Sequence, residues 1–256
     1  MTDALFEPAD GGRWQPTELS RGPWSQESLH GGPVAALLAG AAEPLLDGLQ
    51  PVRLTVELLR PVPVAPLTVS AAVDRPGRKV QLVAAELADG DTPVARASVL
   101  GIRQAPVEVP EQPDADLPAP PEAASADAPE AYYRAFHADG VEHRFVSGAF
   151  AEPGPATDWI RLRVPVVPGE EPSPLQRVAA AADFGNGVSR IISFTELLFI
   201  NPDLTVYLHR LPAGEWVCIE AASRLEPHGI GYAESVLHDR HGRIGRSCQS
   251  LLVDQR

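Results

Sequence analysis

The sequence has little cysteine, lysine or methionine and no long apolar run. Cys218 and Cys248 are the only cysteines. Two are too few for a disulfide framework, and neither has the company of a metal site. Both read as buried apolar residues, because a free thiol packs like a small hydrophobe. No window approaches the ~20 apolar residues that a membrane span needs. The amino terminus, MTDALFEPADGGRW, is acidic and lacks the apolar stretch of a signal peptide, so the expected location is the cytoplasm. Lys79 is the only lysine among 21 basic residues, a bias towards Arg that fits a high-GC bacterial genome. Basic charge is scarce overall: 34 acids oppose 21 bases, for a formal net charge of −13. Nucleic acids and anionic membranes are bound mainly through Lys and Arg clusters, so neither is an expected partner. An anionic small molecule stays possible where a few Arg gather locally.

Familiar catalytic signatures are missing too. There is no Gly-x-Ser-x-Gly elbow of a serine hydrolase. There is no phosphate loop and no HExxH zinc motif. GNGVSR is rich in glycine but does not match a nucleotide fingerprint. No metal or tightly bound cofactor is implied.

What is present is one unit written twice. The stretch 104–131 (QAPVEVPEQPDADLPAPPEAASADAPEA) is dense in Pro, Ala, Asp and Glu. Such a segment buries too little apolar surface to offset its ordering entropy, and Pro stiffens it into a spacer. It divides the chain into 1–103 and 132–256. The two parts echo each other. RLTVELLRP from Arg53 matches DLTVYLHRLP from Asp203. Each is followed by an alternating strand (LTVSAAV, EWVCIEAAS), a second one (RKVQLVAAEL, GIGYAESVL), a polar turn (ADGD, DRHG) and a closing strand (PVARASVLGI, RIGRSCQSLLV). Internal similarity of this length means the same supersecondary unit twice. Short alternating runs between Gly, Pro and Asp turns indicate antiparallel sheet.

Each half also carries one helix. GGPVAALLAGAAEPLL from Gly31 is apolar on nearly every side, which predicts a helix buried all round. SPLQRVAAAADF from Ser173 is its counterpart, with Ser173 as N-cap, Pro174 at the first helical position, and Asn186 and Gly187 as the stop. GVEHRFVSGAF and TDWIRLRVPVV supply the opening strands of the second unit. The predicted class is α+β: a double hotdog, two long antiparallel sheets each wrapped around a buried helix.

The run NPDLTVYLHRLPAGEW, with Gly231, the DRHG turn and GRSCQSLLV, together with LHGGPVAALLAG and RLTVELLRPVP of the first half, resembles the TesB-like acyl-CoA thioesterases. The resemblance covers nearly the whole chain except the Pro-rich stretch. It implies hydrolysis of acyl-CoA to free acid and CoA. In that family an Asp, a Thr or Ser, and a Gln gather around the attacking water. The resemblance places the Asp at Asp203 and the Gln at Gln249. The hydroxyl position falls on Arg224, with Ser223 beside it. A one-residue shift flips a strand residue to the opposite face, so Ser223 and Arg224 are alternatives. A hotdog hydratase would need Asp-x4-His, whereas five residues separate Asp203 from His209.

Read from the residues alone, Asp203 is either the base that takes the water's proton or a member of an Asn-Pro-Asp turn. Gln249, an amide among apolar strand residues, either holds the water or bonds to backbone. His30, Gly31 and Gly32 precede the first helix, whose unpaired amides and positive dipole end suit an oxyanion. A plain loop-to-helix turn explains them equally. Arg60, Arg78, Arg210 and Arg224 are candidates for the CoA phosphates. A non-catalytic acyl-CoA-binding protein would share the same pocket without turnover. An exposed edge strand favours pairing with a second copy, so a homodimer or larger assembly is expected.

Overall fold

The computed structural model describes residues 3–110, 117–127, 129 and 131–255. A small hairpin, β1 (Phe6–Ala9) with β2 (Arg13–Pro16), precedes helix α1 (Gly31–Ala42). Four long strands follow: β3 (Gln50–Leu58), β4 (Thr68–Arg75), β5 (Val80–Asp89) and β6 (Thr92–Ile102). The second half runs through β7 (Ser125–Asp127), β8 (Val141–Ser147), β9 (Ala156–Leu162), α2 (Pro174–Ala182) and the single turn α3 (Gly185–Val188). It closes with β10 (Leu197–Ile200), β11 (Asp203–Leu208), β12 (Val217–Leu225), β13 (Ile230–Asp239) and β14 (Gly242–Gln255).

The repeated strands fall where the alternation puts them, and the two helices lie where the apolar runs are. Two expectations need correction. The first is the number of sheets. The halves do not form two separate sheets, because β3 and β11 pair antiparallel, Thr55 opposite Thr205, and join β3 to β14 into one twelve-stranded sheet. The two echoing segments RLTVEL and DLTVYL are thus hydrogen-bonded to each other, and that seam satisfies two edges at once. The second is the extent of the spacer. Ser125–Asp127, inside the 104–131 stretch, pairs with β8, and the Ala119 carbonyl accepts from the Trp159 indole at 2.7 Å. Its residues 111–116, 128 and 130 lie outside the described residues.

One apolar core runs through both halves, from Leu38 and Val99 to Leu175, Val206 and Ile244. The two helices pack against each other inside it, and Gln176 reaches across to the Ala36 carbonyl. Ser173 caps α2 as the sequence predicts. Its hydroxyl accepts from Gln176 N at 3.1 Å, while Gln176 Oε1 accepts from Ser173 N, a reciprocal box. The Ser173 hydroxyl also donates to Glu43, tying α2 to the turn after α1. The helix ends at Ala182, earlier than Asn186 and Gly187, which belong to α3. Cys218 is buried as expected, whereas Cys248 is only half-buried. Among the described residues no helix is long and apolar enough to cross a membrane.

Ser173→Ala removes the cap and leaves the part-buried Glu43 without its donor. We expect it to cost about 1–2 kcal/mol of stability, read as a lower urea midpoint at unchanged slope. An unchanged midpoint contradicts the role given to Ser173.

Candidate active site

The second half supplies the centre of the site from the end of α2. Asp183, the C-cap of that helix, is 4% exposed. A carboxylate at a helix C-terminus is opposed by the helix's own dipole. It is held there because the N-terminus of α1, from the other half, lies directly against it. His30 Nδ1 lies 2.8 Å from Asp183 Oδ2. Gly32 N–H lies 3.1 Å from the same imidazole nitrogen and also bonds the carboxylate. When Asp183 is ionised, Nδ1 carries the proton between them and the Gly32 N–H turns from the imidazole to the carboxylate. Asn201 donates to Asp183 Oδ1 at 2.8 Å, and Gln249 Nε2 approaches the same oxygen at 3.3 Å and the Asp183 carbonyl at 3.2 Å. Burial pushes the Asp183 pKa up. The His30 charge and hydrogen bond, with the Asn201 amide and Gly32 N–H, outweigh it and leave the carboxyl below its usual range.

The two glycines are required by this approach. A Cβ on Gly31 would stand 2.7 Å from Asp183 Oδ2, and one on Gly32 would stand 2.8 Å from the Ala180 carbonyl. The start of α1 can touch the end of α2 only without side chains there.

The structure brings Gln249, His30, Gly31 and Gly32 together. It does not bring Asp203 to them. In β11, Leu204, Val206 and Leu208 are buried and face the core, so Asp203, Thr205 and Tyr207 face outward. Asp203 Oδ1 accepts from Ser250 N at 2.8 Å, one residue past Gln249 and on the other face of β14. Gln249 points inward and is 2% exposed. The expected Asp–Gln pairing therefore fails by the parity of the strands.

The same parity separates Ser223 from Arg224. Ser223 lies opposite Ala233, which lies opposite Gln249, so Ser223 shares the inner side. Its hydroxyl bonds Ser189 Oγ at 2.7 Å, and Ser189 in turn donates to the Gly185 carbonyl, beside α3. Arg224 is exposed on the outer face. Arg60 and Arg78 are exposed as well, and Arg210 is committed to Asp239 through bonds of 2.5 and 2.6 Å. Among the described residues no group of three His, Cys, Asp or Glu side chains could hold a metal ion.

Asp183 and Asn201 were the residues that sequence reasoning passed over. A signal existed: an acid closing the apolar run AAAAD, where the dipole disfavours it, has no stabilising reason within its own helix.

Around this centre lies a layer of rings. His30 packs on Phe136 and Phe184 at 5.1 and 4.7 Å between centroids, and His143 meets Phe184 edge-on at 4.8 Å. His137 is nearby. Burial first, then the neighbouring His30 and His143, push its pKa down to about 4.

The acyl-CoA thioesterase N-terminal domain family matches residues 20–101, and the acyl-CoA thioesterase C-terminal domain family matches 110–253. The chain belongs to the TesB-like acyl-CoA thioesterase family. Its fold is shared by a protein assigned as thioesterase II from Thermobifida fusca, at 18% identity and TM-score 0.78, over 100% of this chain and 98% of that one. A hotdog-fold protein of unknown function from Alicyclobacillus acidocaldarius matches at 20% identity and TM-score 0.73, covering 97% and 94%. An acyl-CoA thioesterase II from Mycobacterium marinum matches at 14% and 0.66, covering 98% and 95%. No curated protein matches by sequence. The fold is a hotdog.

Two predictions follow from the electrostatics. His30→Ala strips a partner from a buried carboxylate and should cost roughly 3 kcal/mol. Adding Asp183→Asn should return part of that loss, a coupling visible in urea unfolding. Strict additivity contradicts the pairing. For His137, the folded pKa of about 4 lies below its ordinary 6.5. The unfolded chain therefore takes up the proton first, and stability is lost as pH falls from about 6.5 to about 4. His137→Asn should lose less stability than wild type over that window. Parallel curves refute the assignment.

Proposed function

We propose that the chain is a double-hotdog thioesterase that hydrolyses acyl-CoA with activated water, on a site built jointly by its two halves. The observation that carries this reading is the buried Asp183, reached by His30 and Gly32 from one half and by Asn201 and Gln249 from the other. Each half contributes one buried helix and one arm of the sheet, which supports the doubled layout.

In this reading water is held among Asp183, Asn201 and Gln249. Its oxygen attacks the thioester carbonyl while its proton passes to the Asp183–His30 pair. The hydrogen bond of 2.8 Å between Asp183 and His30 makes the pair the nearest acceptor for that proton. The oxyanion forms near the N-terminus of α1, where the helix dipole is positive. The carbon–sulfur bond then breaks, and the proton held by the pair goes to the departing CoA thiolate. Products are the free acid and CoA. Asn201 supplies the polar contact that the family resemblance assigns to a hydroxyl, which is why Ser223, tied to Ser189, is not needed.

Thiol release from acyl-CoAs of several chain lengths tests the reading. Asp183→Asn should lower kcat at least 100-fold, within the usual range for a general base, and Asp203→Asn should stay within a few-fold of wild type. The reverse order would restore Asp203 as the base. Binding of acyl-CoA by the wild type without any thiol release would instead support a non-catalytic acyl-CoA-binding protein.

A further inference from the structure

A second buried His–Asp pair lies one ring away from the first. His143, on the inner face of β8, is 2% exposed, and Asp158, on β9, is 0% exposed. His143 Nδ1 is 2.5 Å from Asp158 Oδ2, and Asp158 Oδ1 accepts from Arg144 N at 3.0 Å. Both carboxylate oxygens and one ring nitrogen are thus satisfied. The other ring nitrogen, Nε2, is buried and has no hydrogen-bond partner among the described residues. Unpaired buried nitrogens are rare enough in folded proteins to need an explanation.

The charge of the pair decides what Nε2 is. A pair this deeply buried is held most cheaply with no net charge. One neutral form is carboxylate with imidazolium; the other is carboxylic acid with imidazole. In the second form the acid donates to Nδ1. Nε2 carries a hydrogen in both, so it is a donor looking for an acceptor. Burial, the largest influence on Asp158, raises its pKa and so favours these forms over the anionic one.

Its surroundings connect it to the candidate active site. The His143 ring meets Phe184, which follows Asp183 in the chain and also packs on His30. His137, close to both His30 and His143, has a buried Nδ1 that is likewise unpartnered. Two buried imidazole nitrogens close to His30 thus have no partner among the described residues.

We infer that His143 is a specificity-determining residue that hydrogen-bonds an oxygen on the first carbons of the acyl group, so that the enzyme favours oxygenated acyl-CoAs over plain ones. The inference rests on the thioesterase reading. A site built to bond a substrate oxygen rejects the analogue lacking it, because the buried donor is then left bare.

The test is kcat/KM for hexanoyl-CoA, 3-hydroxyhexanoyl-CoA and 3-oxohexanoyl-CoA, with the ratio of oxygenated to plain substrate taken within each protein. Wild type should favour the oxygenated chains roughly ten-fold or more. His143→Phe should bring the 3-hydroxy ratio to within two-fold of unity, and its 3-oxo ratio reports the intrinsic reactivity of that thioester. Asp158→Asn should keep the preference: its amide oxygen can accept from Arg144 N and its amide N–H can donate to Nδ1, leaving the hydrogen on Nε2. Should His143→Phe fail to fold, the wild-type 3-hydroxy ratio decides. A ratio near one, as a bound water at Nε2 would give, overturns the inference while leaving the thioesterase intact. Loss of preference in Asp158→Asn overturns the donor assignment. Wild type that hydrolyses none of the three removes the thioesterase reading, and this inference with it.

Discussion

The structure depends on the contact between the end of one central helix and the start of the other. Asp183 terminates α2 where that helix's dipole is least welcoming to a negative charge. The positive end of α1, the His30 imidazole and two side-chain amides compensate it. Removing any one of these leaves a buried carboxylate short of partners, so the contact links stability to the chemistry proposed for the site. A charge held this way is preorganised. Its donors are in place before substrate arrives, and none has to be drawn from water during the reaction.

Several features of the chain serve that contact. Gly31 and Gly32 carry no side chain because Asp183 and the Ala180 carbonyl occupy the space. The Ser173 capping box fixes the other end of α2 and, through Glu43, the far end of α1. The β3–β11 seam joins the two halves into one sheet, which holds the two helices on a common support. Neither half contains the site alone: His30 and Gly32 come from one, and Asp183, Asn201 and Gln249 from the other.

Much of the fold was legible in the sequence because its signals are local. Alternation marked the eight repeated strands. Ser173 followed by Pro174 marked a helix start, and the unbroken apolar run from Gly31 marked a buried helix. The site was legible only where one residue was out of keeping with its strand, as Gln249 was. NPDLTVYLHR looks like a functional head, while its strand parity turns the Asp203 carboxylate outward to Ser250 N. Seeing that required the register between β11 and β14, a non-local quantity that no run of residues encodes. The joining of the sheets through β3 and β11 was hidden for the same reason. Asp183 lay in view, but its meaning depended on a helix roughly 150 residues away in the chain.

The central claim is that Asp183 acts on water and not directly on the acyl carbon. A single turnover in water enriched in oxygen-18, with mass analysis of the acid and of the acid-quenched protein for an acyl group on Asp183, separates the two. The account predicts one labelled oxygen in the acid from the first turnover and no acyl group on the peptide containing Asp183. An acyl group there, or an unlabelled acid with label in Asp183, would show a covalent acyl-carboxylate intermediate and contradict it.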